Sequence, residues 1–408
     1  MKRMFEPGVG IREGLQDFKI NVSNFTAFIT AFIFGITGAF ILYATVAASA
    51  DISDQQAVSW IMSGTVLGAA ATILLCLYYK QPIVILPSLP ALLVMGPMFA
   101  RFEMRQMVAG YLLAAIIVFL IGAFGIIGKI GKILPIPIIM GMIAGVFMNY
   151  GLKMIDGVKE QPMAGGLIIG AFLLAHIFLK KVPPLLIALI VGVVSAFLLI
   201  PFNIESTAFR LYLPLFILPE FHPDIIMSVT IPLVLLVLAD TLKGYGVLCI
   251  NEYKTPLNTN TMVAGIISAI ASLFLSHSVS MAGPVTAIVG GSDAGDKRYR
   301  YVASVLNAAG MLMAGLLAGF VLPFVKSLPS GITHIIAGLA MLGLFTSSLE
   351  MAFGSKKFVK GAFTAFIVGM SGFSAWGIGA PVWAILFGIV VSLFTDRQNE
   401  NIIGNKHL

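Results

Sequence analysis

Apolar runs of membrane-spanning length recur from residue 21 to residue 395, and little else in the chain competes with them as a constraint on folding. Roughly 20 consecutive apolar residues cross a bilayer as a helix, and no soluble fold needs run after run of that length. Fourteen segments stand out: 21–48, 57–79, 83–100, 106–127, 133–152, 163–179, 183–201, 223–247, 257–275, 279–291, 301–325, 331–353, 359–375 and 378–395. With 59% hydrophobic and 11% charged residues, the 408-residue chain reads as an all-α polytopic membrane protein without a soluble domain. The polar residues 1–20 read as a cytoplasmic lead-in rather than a signal peptide, and 396–408 as a cytoplasmic tail. Two cysteines, Cys76 and Cys249, both in apolar runs, exclude a disulfide framework or a cysteine-based metal site. The net charge of +7 suits basic cytoplasmic loops rather than nucleic acid.

The distribution of Lys and Arg tests the count of crossings. With the N-terminus in the cytoplasm and fourteen crossings, eighteen of the 25 basic residues fall inside and six outside, and Lys243 lies within a segment. The outside six are Arg101, Arg105, Lys153, Lys159, Arg210 and Lys326. The segments 83–100 and 279–291 are short and broken. Dropping either as a crossing would place every later basic loop on the wrong side, so both are expected to cross.

An internal repeat accompanies this. "ILPIPIIMGMIAG" (133–145) resembles "SLPSGITHIIAGLA" (327–340) at an offset of about 194, and at that offset Pro90 falls on Pro284. The two weak segments are therefore counterparts. Seven crossings separate them, so the halves have opposite orientation: a 7+7 inverted repeat.

Each short segment reads as an extended stretch followed by a half-helix. Pro90 opens one at 90–100 after an extended 83–88. Gly283 and Pro284 open the other after extended "SVSM". Half-helices starting near the midplane from opposite sides aim unpaired N–H groups and positive dipole ends at one locus, which suits an anion or a hydrogen-bond acceptor. Irregular backbone is tolerable there only when buried in protein or lining a cavity. Ser88, Ser278 and Ser280 add hydroxyl donors. Asp240 and Lys243 (i, i+3 on one face) and Glu350 are charges inside apolar segments; Asp240 and Lys243 are candidates for proton handling, Glu350 for the interface. His277, preceding the second short segment, reads as an interfacial histidine near the outer side. His176 and His334 read as structural, and Trp60, Trp376 and Trp383 as interface anchors. The loop "GGSDAGDKRYR" lacks the Lys-Ser/Thr of a phosphate-binding loop, and no zinc-protease or nucleophile-elbow motif occurs. The chain therefore reads as neither an enzyme nor an ATP-driven pump; no cofactor or metal is expected.

The motifs "YYKQPIVILPSLPALLV", "LPIPIIMGMIAG", "IPLVLLVLAD", "SVSMAGPVTAI" and "LPSGITHIIAGLAMLGL", in that order, resemble the benzoate:proton symporter (BenE-type) family. That family is related in fold to nucleobase–cation symporters and sulfate-permease-like anion carriers. The resemblance spans about 22–395. It implies a core domain (21–127 and 206–327) and a gate domain (128–205 and 328–395). It also implies substrate between crossings 3 and 10, elevator-like movement of the core, and a bacterial inner-membrane location with both termini cytoplasmic. Carried over residue by residue, it places Ser88, Leu89 and Pro90, then Ser280, Met281, Ala282, Gly283, Pro284 and on to Thr286, with Asp240 and Thr241, at the site. Phe25, Leu89 and Met281 are expected to hold an aromatic ring. The expected partners are a small organic anion, protons and lipid, with a possible homodimer. Members of the family carry uncharged polar residues where this chain has Asp240 and Thr241, whereas an acidic residue there is typical of nucleobase carriers. A nucleobase or other neutral heterocycle is the alternative substrate, and an anion channel a further reading.

Overall fold

In hydrocarbon a backbone must satisfy its own N–H and C=O groups, which is why apolar runs fold as helices. In the computed structural model, which describes residues 5–133, 135–179, 182–199, 212–375 and 378–396, each of the fourteen apolar segments has a helical counterpart. A short α1 (Ile11–Gln16) precedes α2 (Val22–Ser49) and α3 (Asp54–Tyr79). The third segment is a strand β1 (Ile85–Pro87), a helix α4 (Leu89–Met95) and a 3-10 turn (Gly96–Ala100). Next come α5 (Met104–Ala123), the short α6 (Ile127–Ile133), α7 (Ile136–Glu160), α8 (Pro162–Phe178) and α9 (Pro184–Leu199). One continuous helix follows, built of α10 (Pro223–Ile225), a π-helical stretch (Ile226–Thr230) and α11 (Ile231–Ile250), and then α12 (Leu257–Ser272). The tenth segment is strand β2 (Val279–Met281) and helix α13 (Gly283–Gly290). The eleventh is divided into α14 (Arg300–Leu316) and α15 (Ala318–Ser327); α16 (Ser330–Phe353), α17 (Val359–Ser371) and α18 (Ala380–Thr395) complete the chain.

Among the described residues, six helices, α2, α3, α5, α7, α10–α11 and α16, are long and apolar enough to cross a membrane by length and composition. Proline in the first turn opens α4, α7, α8, α11, α13 and α18, where its missing N–H costs nothing. The expectations for Lys2, Arg3, Lys180, Lys181, Arg210, Trp376, Arg397, Lys406, the loop from 200 to 211 and the tail beyond 396 lie outside the described residues, as does the side chain of Lys326.

Packing sorts the helices. α7 lies against α16 and α17, α17 against α18, and α8 against α9. α3 lies against α14, α5 against α12, and α11 against α13. Helix α2 touches both groups through α14 and α16. The polar lead-in folds back on the end of α3: the N–H groups of Val9 and Gly10 both donate to the Tyr78 carbonyl at 3.0 Å. Asp17 pairs with Lys80 and, at 2.8 Å, with Arg298. Hydrogen bonds from those two cations hold its carboxyl below the ordinary aspartate range.

The two strands pair antiparallel, with Ile85 opposite Met281, Leu86 opposite Ser280 and Pro87 opposite Val279. A two-stranded sheet surrounded by apolar helices leaves its outer edges without partners. Side-chain hydroxyls meet both. Thr72 on α3 accepts from the Ile85 N–H at 2.8 Å and lies 3.0 Å from the Ile85 carbonyl. Ser268 on α12 accepts from the Val279 N–H at 2.9 Å. Gly68, one turn before Thr72, lets α3 approach closely enough that a Cβ there would sit 2.9 Å from the Ile85 carbonyl oxygen.

Candidate substrate site

Side chains alternate along a strand and rotate by about 100° per residue along a helix, and these two periods decide what reaches the centre. On β2, Ser280 points to α11 and donates to Asp240 Oδ2 at 3.4 Å. Met281 packs against Gly244, where a Cβ would lie 2.8 Å from the Met281 carbonyl oxygen. Ser88 follows β1 as the N-cap of α4. Its hydroxyl accepts from the Ala91 N–H at 3.3 Å and donates to the same Asp240 Oδ2 at 2.5 Å. One carboxylate oxygen thus receives a hydroxyl from each broken segment. Among the described residues Asp240 makes no ion pair within 4.0 Å. Lys243, one turn on, runs its aliphatic stem over Gly283, where a Cβ would lie 3.2 Å from Lys243 Cγ.

Asp240 and Lys243 line a cleft between the two broken segments. Of the sequence-predicted residues, Ser88, Leu89, Pro90, Asp240, Lys243, Ser280, Ala282, Gly283 and Pro284 line it. Phe25, Thr241, Ser278, Met281 and Thr286 do not. Phe25 is 47% exposed, ten residues along α2 from the cleft residue Gly35, or ~15 Å along the axis. Thr241 is buried, a 100° step round the helix from Asp240, with a hydroxyl that has no partner. The cleft adds Phe34, Gly35, Ala39 and Tyr43 from α2, Thr65 from α3, Met311 from α14 and Leu344 from α16. The spacing of Gly35, Ala39 and Tyr43, four apart on one face of α2, was the available signal, and two small residues on a helix face mark a place of close approach.

The two half-helix ends differ. α4 is capped by the Ser88 hydroxyl, whereas Ala282, the N-cap of α13, has no side chain that can cap. Gly283 and Val285, in the uncapped first turn of α13, line the cleft, which places the positive end of that helix at it. An apolar cleft with one uncapped helix N-terminus, one ammonium and one hydroxyl-bound carboxylate suits a small, largely apolar anion.

Two sequence expectations are corrected here. Trp60 is fully buried rather than an interface anchor, and His277 is fully buried rather than interfacial. Each is drawn inward by hydrogen bonding: Trp60 Nε1 donates to His277 Nδ1 at 2.8 Å, and His277 Nε2 lies 2.9 Å from the Ser88 carbonyl oxygen. Trp383 is half-buried and packs on Phe373 and Phe387.

A mostly helical, multi-pass membrane protein with a cleft between two broken segments is a membrane transporter in class. A family model described as "Benzoate membrane transport protein" matches residues 18–394, and the chain belongs to this family, BenE, the one its motifs resemble. It is 27% identical over 380 residues to the benzoate membrane transport protein of Acinetobacter baylyi, covering 92% of this chain and 95% of that one. It is 26% identical over 360 residues to the inner membrane protein YdcO of Escherichia coli, covering 86% and 90%. The fold is similar to the transmembrane domain of a cyanobacterial bicarbonate transporter, BicA, with a TM-score of 0.56 at 13% identity, over 92% of this chain and 99% of that domain.

Proposed function

We propose that the protein is a proton-coupled symporter of benzoate or a similar small aromatic carboxylate, working by elevator-type alternating access. The observation that carries this reading is Asp240, held at the cleft by hydroxyls from both broken segments beside Lys243. Charge balance supplies the coupling. With Asp240 ionised and Lys243 protonated, the empty site is neutral. A carboxylate entering alone leaves a net negative charge in a low-dielectric cleft, which is strongly unfavourable. A carboxylate arriving with a proton on Asp240 restores neutrality and leaves Lys243 and the uncapped N-terminus of α13 to hold the anion. Proton and substrate then favour each other's binding, as a symporter requires. Phe34, Leu89 and Met311 offer apolar surface to the ring.

Fourteen crossings in a 7+7 inverted repeat, with both termini cytoplasmic, complete the reading. Two correspondences support the repeat. Thr72 serves β1 from the helix before it as Ser268 serves β2 from the helix before it. Likewise the second crossing packs on the eleventh (α3 on α14) as the ninth packs on the fourth (α12 on α5), the exchange an internal two-fold axis requires. The core domain is then 21–127 with 206–327 and the gate 128–205 with 328–395. A second reading, transport of a nucleobase or other neutral heterocycle, is favoured by the same Asp240, since an ionised carboxylate in the cleft accepts from ring N–H groups.

Uptake of labelled benzoate into proteoliposomes, with and without an inward proton gradient, tests the proposal. The gradient is expected to stimulate uptake at least tenfold. In Asp240→Asn benzoate binding persists while its pH dependence is lost. Uptake that ignores pH in the wild-type protein sinks proton coupling. Binding of uracil-like heterocycles that Asp240→Asn abolishes, with none of benzoate, moves the assignment to the second reading.

A further inference from the structure

Behind Ser88 lies a buried chain of hydrogen bonds that the transport reading does not use. Indole N–H can only donate, so the 2.8 Å contact from Trp60 requires a lone pair on His277 Nδ1. A neutral imidazole with an acceptor at Nδ1 carries its proton on Nε2, and that nitrogen therefore donates to the Ser88 carbonyl at 2.9 Å. The same carbonyl accepts from the Leu92 N–H at 2.9 Å in the first turn of α4. Ser88 is thus held at its carbonyl by His277 and at its N–H by the Ser278 carbonyl (3.3 Å), which leaves its hydroxyl aimed at Asp240. A protonated His277 would turn a second N–H against the indole N–H, so the arrangement also holds His277 neutral. Tyr43 from α2 and Tyr111 from α5 are titratable side chains with rings facing His277, at 6.1 and 6.4 Å. His277 connects to Asp240 only through Ser88, and Asp240 in turn faces Ser88, Ser280 and, on its own helix, Lys243.

We propose that Trp60 and His277 are a positioning pair: Trp60 selects the Nε2–H form of His277, His277 fixes the Ser88 peptide, and Ser88 thereby sets the orientation and proton affinity of Asp240. The inference rests on the reading of Asp240 as the protonated group. It gives His277 a defined role without making it a proton carrier. Helices α3 and α4 and the stretch before β2 are tied at one point, so the pair also locks the two broken segments to each other.

The test uses the full-length protein in proteoliposomes, with labelled benzoate uptake followed between pH 5 and 8. A hydrogen bond donated to an ionised carboxylate favours the charged form, so loosening Ser88 favours the proton. Trp60→Phe, which keeps an aromatic ring and removes the indole N–H with the pyrrole ring that carries it, and His277→Ala are each expected to move the pH midpoint of uptake upward by about half a unit. His277→Gln, whose side-chain amide can donate to the Ser88 carbonyl, restores the wild-type midpoint. If His277→Ala does not fold, Trp60→Phe still reads out the pair. Midpoints unchanged in both Trp60→Phe and His277→Ala overturn the proposal. A flat pH profile in His277→Gln also overturns it, by making His277 itself the carrier. Asp240→Asn measured alongside separates the two levels. If it keeps the wild-type pH dependence the transport reading fails. If it flattens the profile while Trp60→Phe leaves the midpoint in place, only the positioning pair fails.

Discussion

Ser88 does two things with one hydroxyl: it accepts from the Ala91 N–H to cap α4 and donates to Asp240 at 2.5 Å, whereas Ser280 only donates, at 3.4 Å. A short hydrogen bond to a charged group is worth more than a long one. Ser88→Ala is therefore expected to move the pH midpoint of benzoate uptake upward by about one unit and Ser280→Ala by about a third of a unit, read from initial uptake rates between pH 5 and 8. Equal effects would mean that the unequal distances carry no weight. The residue types of this cluster were legible in the sequence, because a carboxylate in an apolar run and a serine two residues before a proline each stand out. Their neighbours were harder to place. Thr241 and Met281 sit one position from residues in the cleft, and a single step rotates a helix by about 100° or turns a strand over. Phe25 is on the right helix and about three turns from the cleft. Trp60 and His277 read as interfacial because each is amphipathic; only the contact between them, across 217 residues of sequence, explains their burial.

The broken segments were legible as elements and as repeat counterparts, but not as two strands of one sheet. Proline after an extended, β-branched stretch gives the start of each half-helix, and Pro90 and Pro284 fall within one residue of the helix starts at Leu89 and Gly283. The offset of about 194 made the segments counterparts, but nothing in a three-residue strand announces antiparallel pairing, and the hydroxyls that close the sheet edges look like ordinary helix residues. The edges nonetheless decide whether such a sheet survives in an apolar interior. Thr72→Val keeps the side-chain shape and leaves the Ile85 N–H and carbonyl without the hydroxyl. A buried backbone group left unsatisfied costs about 1–3 kcal/mol. Thermal unfolding of the purified protein in detergent should therefore show a clear loss of stability for Thr72→Val and near wild-type behaviour for Thr72→Ser. If Thr72→Val is as stable as the wild type, the hydroxyl is not what closes the edge.

At the scale of the whole molecule, the cleft is lined almost entirely from one side of the proposed division. Every lining residue except Leu344 belongs to α2–α4, α11, α13, α14 or the two strands, the elements assigned to the core. A site carried by one body can travel with it, which is the geometric requirement of an elevator. A site shared equally between two bodies would have to open and close in place. Ser49 on α2 and Thr333 on α16 line a separate cavity between the two groups of helices, away from Asp240, and provide a place to join them. Cysteines at these two positions, in a background where the exposed Cys249 is replaced by serine and the buried Cys76 is kept, can be linked by a bifunctional thiol reagent. Linking the bodies is expected to stop benzoate counterflow while leaving the Kd for benzoate within about threefold of the unlinked protein, because the residues that hold the substrate are untouched. Reductive cleavage of the linker restores counterflow. Counterflow at the unlinked rate would rule out sliding of α2 past α16. Loss of binding together with transport would show that the second body contributes more to the site than Leu344 alone.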